Sequence, residues 1–364
     1  MDKQNLDAII VSSVPNIIYL TGFSHFSKDE REAFLFITFD KQYILTDGRY
    51  AQAVKNHMRN QILSLPKYQI LSLPKYELVE TSSKLTFEKA LKDLAKKHKI
   101  KKLGIEENNL TVKEHKALLS SRLPRLRSGQ AAWRDLLHQT LDSLRVIKDL
   151  REILAIEKAC KLGDKTFKYI LNKIKQGITE KQLAFEIEFF IKKAGADISF
   201  PPIVAFGKNS SIPHHKPSDQ QLATNSQFIL LDFGVRLNNY CSDMTRTVFF
   251  GKASNRQKKM YQTVLEAQKK ALEHLEHLGR WQADPERSRG RNHDSSEVKF
   301  RGIKASEIDK VARDYIISKN YKTIPHSVGH GVGLEVHESP RLSPKSKDIL
   351  KENMLFTIEP GIYI

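Results

Sequence analysis

Cysteine is scarce in this chain of 364 residues, with only Cys160 and Cys241 present. They lie in different segments and match no zinc or redox spacing, which excludes a thiolate metal site and a dithiol redox centre. No disulfide is expected between them, and both read as small buried hydrophobes. Long apolar runs are also missing. The longest, such as Ala8 to Val11 and Phe228 to Leu231, fall far short of the roughly 20 residues that span a bilayer, so no membrane partner is expected. Met1 to Asp7 carries two acids and no basic region leading into an apolar core. No signal peptide is therefore expected, and the expected location is cytoplasmic.

Positive charge is plentiful, at a net +18. The lysines are scattered along amphipathic stretches such as Lys92 to Lys102 and Lys158 to Lys175. No basic cluster is interleaved with aromatics, as a nucleic-acid platform requires. The charge reads as a solvated surface, and no nucleic-acid partner is expected. Hydrophobic residues make up 40% of the chain, which fits a globular protein long enough for two cores.

The first ~110 residues alternate strand and helix signals. Asp7 to Ser12, Ala33 to Phe39, Gln42 to Leu45 and Lys102 to Ile105 read as strands, and Tyr50 to Met58 and Phe87 to His98 as helices. This is the pattern of an α/β domain. A long helix is then expected from Leu144 to Lys175 with Gly177 at its C′ position, followed by a helix from Glu180 to Ala194 between a Thr179 cap and Gly195. Strands are expected at Ile203 to Phe206, Gln227 to Phe233, Asp243 to Phe250, Val332 to Val336 and Met354 to Glu359. Helices are expected at Asn255 to His277 and Ser306 to Lys319. Helices combined with an antiparallel sheet give an α+β class.

Three segments break this order. Residues 61–68 read QILSLPKY, and 69–76 repeat the octet without change. Two copies of eight residues are too few for a solenoid and read as a tandem duplication. Residues 122–137 and 280–301 hold both tryptophans, Trp133 and Trp281, and are rich in arginine where the rest of the chain prefers lysine. They read as inserted loops, with an Arg-rich binding loop as the alternative.

The chemistry concentrates in the second half. FILLDFGVRLNNYCSDMTRTVFF, Phe228 to Phe250, reads as strand, turn, strand about Asn238-Asn239. That pairing sets Leu237 opposite Tyr240 and Asp232 opposite Thr245, with Asp243 the diagonal neighbour of Asp232, their Cβ atoms roughly 7–8 Å apart or less. Two acids on one face of an apolar hairpin either lie in solvent or share a cation. HSVGHGVGLEVHESP places His326, His330 and His337, three of the thirteen histidines, among glycines. Simple alternation puts His330 and His337 on opposite faces, and a bulge at Gly331 or Gly333 would join them. The alternative is a set of unrelated polar residues in a glycine-rich loop. FTIEPG ends an apolar strand on Glu359, and SIPHH places His214 and His215 in a loop ahead of the hairpin. Carboxylates with imidazole and no thiolate suit Mn²⁺, Co²⁺, Fe²⁺ or Zn²⁺.

These residues resemble a known family. LLDFG with Asp232, SDMTRT with Asp243, GHGVGLEVHE with His330 and TIEPG with Glu359 are similar, in order and spacing, to the pita-bread metallopeptidases of the aminopeptidase P and Xaa-Pro dipeptidase group. NIIYLTGF, Asn16 to Phe23, and LTDGRY, Leu45 to Tyr50, resemble the creatinase-like N-terminal module. The resemblance implies an α/β N-terminal domain over 1–140 and a pita-bread catalytic domain over 141–364. It implies two divalent metal ions, Mn²⁺ first with Co²⁺ or Zn²⁺ as alternatives, held by Asp232, Asp243, His330 and Glu359, with Asp243 bridging. It implies that Glu359 accepts a proton from the attacking water, and that His214, His326 and His337 position substrate and assist proton transfer.

The implied reaction is Xaa-Pro aminopeptidase hydrolysis, on a peptide substrate with proline at its second position. The rival readings are an Xaa-Pro dipeptidase and a non-catalytic pita-bread binding protein. A homodimer is the assembly the resemblance allows. Methionine aminopeptidases typically lack the N-terminal module, and creatinase needs no metal. The family's fifth ligand, a second Glu, lies beyond the EPG strand, and the sequence stops at Ile364 before such a segment. Weak binding of the second metal is expected on that ground.

Overall fold

Short, nearly continuous apolar runs, buried on both faces, explain the central strands of the first unit's sheet. In the computed structural model the described residues are 6–27, 30–64, 76–106, 109–114, 116, 137–223, 227–283 and 302–364. The duplicated octets beyond Ser64 and nearly all of 122–137 and 280–301 lie outside the described residues. The chain divides into two units, Met1–Leu144 and Arg145–Ile364. No helix among the described residues is long and apolar enough to cross a membrane.

In the first unit β1 (Ala8–Val11), β2 (Ala33–Thr38), β3 (Gln42–Asp47), β4 (Tyr76–Thr81) and β5 (Leu103–Ile105) form one sheet in the order β4-β3-β2-β1-β5. The three central strands pair antiparallel, and both edge strands pair parallel. Ile10, Phe34 and Phe36 face one layer, with Leu91 and Leu94 of a helix at Phe87–Lys97. Val11, Ala33 and Leu35 face the other, with Ile17 and Val54 of helices at Val14–Thr21 and Gly48–Ser64. We label these helices α1 (Val14–Thr21), α2 (Gly48–Ser64) and α3 (Phe87–Lys97). The expected α/β domain is thus present. Helix α1 goes unread in the sequence because Val14, Ile17 and Ile18 are β-branched and Pro15 intervenes. Pro15 sits in the first turn, where its missing N–H costs nothing, and Gly22 closes the helix at φ 70°.

The second unit follows α4 (Leu137–Val146) with α5 (Leu150–Leu171), α6 (Glu180–Lys193), β6 (Asp197–Ile198), β7 (Ile203–Phe206), β8 (Gln227–Phe233), β9 (Val235–Leu237), β10 (Tyr240–Cys241) and β11 (Met244–Phe250). Then come α7 (Asn255–Ala283), β12 (Ile303–Lys304), α8 (Ala305–Ser318), β13 (Gly329–Gly331), β14 (Glu338–Leu342) and β15 (Ile349–Leu350). Helices α5 and α6 bury Ile170, Leu183, Ile187 and Ile191 against Val204, Ile229, Leu231 and Phe233 of β7 and β8. Helices α7 and α8 bury Ala267, Ile308, Ala312 and Ile316 with Val328, Leu342 and Leu350. These two helix-backed halves make up the pita-bread α+β domain.

Three expected elements are corrected. The single helix from Leu144 to Lys175 is two, broken at residues 147–149. Lys148 N–H donates instead to Asn353 O, and Asp149 starts α5 afresh with a capping box to Glu152. Gly177 does take a positive φ of 81°, but α5 has already ended at Leu171. Residues 332–336 form bends rather than a strand, and the paired residues are those of β13 and β14. Residues 354–359 run extended, held by isolated bridges and single hydrogen bonds rather than a ladder. By contrast, Thr179 caps α6 through a capping box with Gln182, and Gly195 follows it at φ 78°.

Candidate metal centre

The first part of the site grows from one hairpin. Asn238 and Asn239 take φ of 50° and 71°, as the tight turn between β9 and β10 requires. Leu237 then pairs with Tyr240, and the same register runs out to Thr245 opposite Asp232 and Phe250 opposite Gln227. Ile229, Leu231 and Phe233 are fully buried towards the helices, so Asp232 projects from the other face. Gly234 lies where β8 gives way to β9, and any Cβ there would stand 2.0 Å from the Ser242 carbonyl. Only glycine lets the two strands stay this close beside Asp243.

The second part comes from β13 and the extended 354–359 segment. Thr357 N–H donates to His330 O at 2.8 Å, and Glu359 N–H donates to Val328 O at 2.7 Å. Glu359 is therefore the diagonal neighbour of His330, as Asp243 is of Asp232. The pairing of β13 with β14 slips after His330, so that Gly331 faces Glu338 while His330 faces Arg341. The irregularity brings His337 back to His330, with ring centroids 4.3 Å apart. Residues Ser339 and Pro340 of β14 absorb the slip.

The two parts meet. His330 Nε2 lies 3.4 Å from Asp243 Oδ2 and 3.1 Å from Glu359 Oε1. One donor atom each from Asp243, His330 and Glu359 fall within 4.8 Å of one another. His330 Nδ1 lies 3.0 Å from Gly331 O, which fixes Nδ1 as the protonated nitrogen in the neutral ring and leaves Nε2 as the donor to a metal. The Thr357 hydroxyl donates to Glu359 Oε1 at 2.9 Å and accepts His330 N–H at 3.0 Å.

Negative charge is in excess here. Burial first, then the charges of Asp243 and Glu359, push the Asp232 carboxyl up to about 7. Its Oδ1 is buried without a hydrogen-bond partner among the described residues. Burial works against charge on His330, but the hydrogen bonds to Asp243 and Glu359 outweigh it and lift the ring to about 10. Burial also disfavours charge on Glu359, yet the His330 and Thr357 hydrogen bonds hold that carboxyl below its usual range. Two carboxylates within ion-pair distance of one imidazole, with a third carboxyl that feels their charge and carries an orphaned oxygen, are the donor set a divalent cation stabilises.

The remaining histidines separate. His326 Nδ1 lies 2.7 Å from Ser327 O, and Tyr363 OH lies 2.8 Å from His326 Nε2. His337 is held below its usual pKa by burial and by the neighbouring His330. His214 is exposed, at φ 55°. It is His215 that is anchored, 2.9 Å from the fully buried Glu180. Sequence reasoning passes over Thr357, Tyr363 and Glu180. Thr357 alone had a signal, standing two residues before Glu359 on the same face of an extended segment.

Residues 1–160 match the creatinase/prolidase N-terminal domain, and residues 155–284 and 292–364 match metallopeptidase family M24. The chain belongs to metallopeptidase family M24. Among M24 relatives, an uncharacterized peptidase of Bacillus subtilis, YqhT, is 34% identical over 362 residues, covering 99% of this chain and 87% of the relative. The Xaa-Pro dipeptidase of Pyrococcus horikoshii is 32% identical, covering 100% and 88%. The crystal structure of the X-Pro aminopeptidase of Thermotoga maritima superposes with a TM-score of 0.74 at 29% identity, covering 99% of this chain and 89% of that one. Family membership makes this chain a metallo-exopeptidase with a divalent-metal requirement.

Proposed function

We propose that this M24 peptidase hydrolyses the bond between an N-terminal residue and a following proline, and that Asp232, Asp243, His330 and Glu359 hold two divalent ions, Mn²⁺ first. The observation that carries this reading is the convergence of Asp243, His330 and Glu359 donor atoms beside the orphaned oxygen of Asp232. Relatives named for Xaa-Pro cleavage supply the substrate class.

Bound ions would lower the pKa of a shared water and polarise the scissile carbonyl. The protein's own groups do the rest. Glu359, oriented by the Thr357 hydroxyl, takes the proton of the attacking water. The proline nitrogen leaves as a secondary amine and must gain a proton, the one that Glu359 took from the water. His337 and His326 are the imidazoles that stand on the site's segments to donate to it or to the developing oxyanion. The Tyr363 hydroxyl fixes the His326 ring. His214 contributes from its exposed loop by contacting bound substrate.

The test is Mn²⁺-stimulated release of the N-terminal residue from an Xaa-Pro tripeptide. Absence of release at any metal loading by folded protein would sink the reading, and absence of metal binding as well would leave a binding protein. The dipeptidase reading is favoured by the Pyrococcus horikoshii relative. Equal chain concentrations acting on Xaa-Pro and Xaa-Pro-Xaa decide between them, since an aminopeptidase prefers the longer peptide. A cytoplasmic location and a homodimer belong to the same reading, and light scattering on the purified chain tests the dimer.

A further inference from the structure

Glu338 directly follows His337, and only 4% of its side chain is exposed. Its Oε1 accepts from Arg145 Nη1 at 2.9 Å, and its Oε2 accepts from Lys148 Nζ at 2.8 Å. Both cations are buried as deeply, with side-chain exposures of 5% and 1%. Glu335 N–H donates to the same Oε1 at 3.0 Å, and Arg145 reaches the Glu335 carboxylate at 2.7 Å. Lys148 also donates to the Arg145 carbonyl. The loop is folded onto this ion cluster without clearance. A Cβ on Gly333 would stand 2.5 Å from Glu338 Oε2 and 2.9 Å from Lys148 Nζ.

Such a cluster is poorly explained by stability. Taking three ions out of water costs about as much as their attraction returns, and apolar packing serves as well. What apolar contacts lack is direction. Arg145 and Lys148 fix both oxygens of Glu338 on one side of the chain, and adjacent side chains at a strand's start diverge. His337 is thereby sent to the other side, towards His330 at 4.3 Å between ring centroids. The segment that carries both cations also binds the 353–354 stretch leading to Glu359, through Lys148 N–H to Asn353 O at 2.9 Å and an Ile147–Met354 bridge.

We propose that Glu338, clamped by Arg145 and Lys148, is a positioning residue that sets the His337 ring against the metal centre. The proposal rests on the reading that His337 works in hydrolysis. Its test uses the full chain, with Glu338→Gln and Lys148→Met made alone and on top of His337→Ala. Glu338→Gln lowers kcat on an Xaa-Pro tripeptide about 10- to 100-fold, the usual size of an outer-sphere effect, with Mn²⁺ content and KM within about twofold. On the His337→Ala background the same change costs less than about twofold. Lys148→Met, which leaves Glu338 its Arg145 partner, shows the same pattern at smaller amplitude and stands in if Glu338→Gln does not fold.

A second readout needs no substrate. In histidine labelled with ¹³C at Cε1, the His337 signal, identified by its loss in His337→Ala, shifts or broadens in Glu338→Gln while that of His326 stays. An equal loss of kcat on both backgrounds, or an unmoved His337 signal, overturns the proposal. Wild-type protein that cleaves no proline peptide overturns the functional reading instead, and the histidine signal still decides the positioning.

Discussion

Asp232 and Asp243 stand on a hairpin that keeps one register from its Asn-Asn turn to Phe250 opposite Gln227, with pairing lapsing only where Gly234 meets Asp243. His330, His337 and Glu359 stand on three segments joined by short or single pairings, with a slip between His330 and Gly331. The first half is positioned by backbone. The second has only a few backbone bonds, such as Thr357 to His330 and Glu359 to Val328, and adds side-chain anchors: Thr357 at Glu359, Tyr363 at His326, and Arg145 and Lys148 at Glu338. Arg313 belongs to this group as well. Paired with the buried Asp309, it donates to His326 O at 2.9 Å and so holds the approach to β13. A backbone-built site tolerates change away from it, whereas a site built from side-chain anchors transmits distant changes to its chemistry.

The two halves of the site are expected to do different work, and substitutions separate them. The largest effect is expected at Glu359, where Glu359→Gln removes the proposed proton acceptor and should lower kcat on the order of 10³-fold. Steady-state kinetics at saturating Mn²⁺ measure it, and a loss under tenfold would remove Glu359 from proton transfer. His337→Ala comes next, with about a 10²-fold fall in kcat and unchanged metal content by elemental analysis. Loss of metal in that variant would make His337 a ligand rather than a proton donor.

Asp232 sharpens the contrast through stability. Its folded carboxyl is pushed up to about 7 from an ordinary value of 3.8. In metal-free protein the neutral form is the favoured one, so this group's contribution is fully present below about pH 4. It is lost as pH rises towards 7. Asp232→Asn keeps the neutral form at every pH and should stabilise chelated protein at pH 7 by about 1–4 kcal/mol, since each tenfold change in proton affinity is worth about 1.4 kcal/mol. Urea unfolding with chelator at pH 4 and pH 7 reads this, and an equal stability change at both pH values would contradict it. The smallest effect is structural. Gly234→Ala drives a Cβ into the Ser242 carbonyl and should cost about 1–3 kcal/mol in urea unfolding, with the hairpin half losing metal affinity as the strands part.

The same difference governs what can be read from sequence. The hairpin is contiguous, its turn residues declare themselves, and period-two alternation then fixes which side Asp232 takes, so its register is legible in the sequence alone. The His330–His337 meeting is not. It depends on a slip in pairing that Ser339 and Pro340 absorb, and nothing local distinguishes that slip from plain alternation. Helix α1 is hidden by β-branched residues whose tertiary burial overrides their propensity. The break at residues 147–149 is hidden because its cause, Asn353 accepting the Lys148 N–H, lies far along the chain. Glu180 reads as one more acid at a helix start. Only the folded loop reveals its bonds to His215, Ser218, Asn209 and Phe206 N–H.

Both halves are proposed to grip the same metal. Calorimetric titration of Mn²⁺ into wild-type chain, Asp243→Ala and His330→Ala tests it most directly, one variant cutting the backbone-built half and one the side-chain-built half. Wild type is expected to bind, and each variant to lose more than about tenfold in affinity, with both variants folded by circular dichroism. Undiminished Mn²⁺ binding in either variant would contradict it.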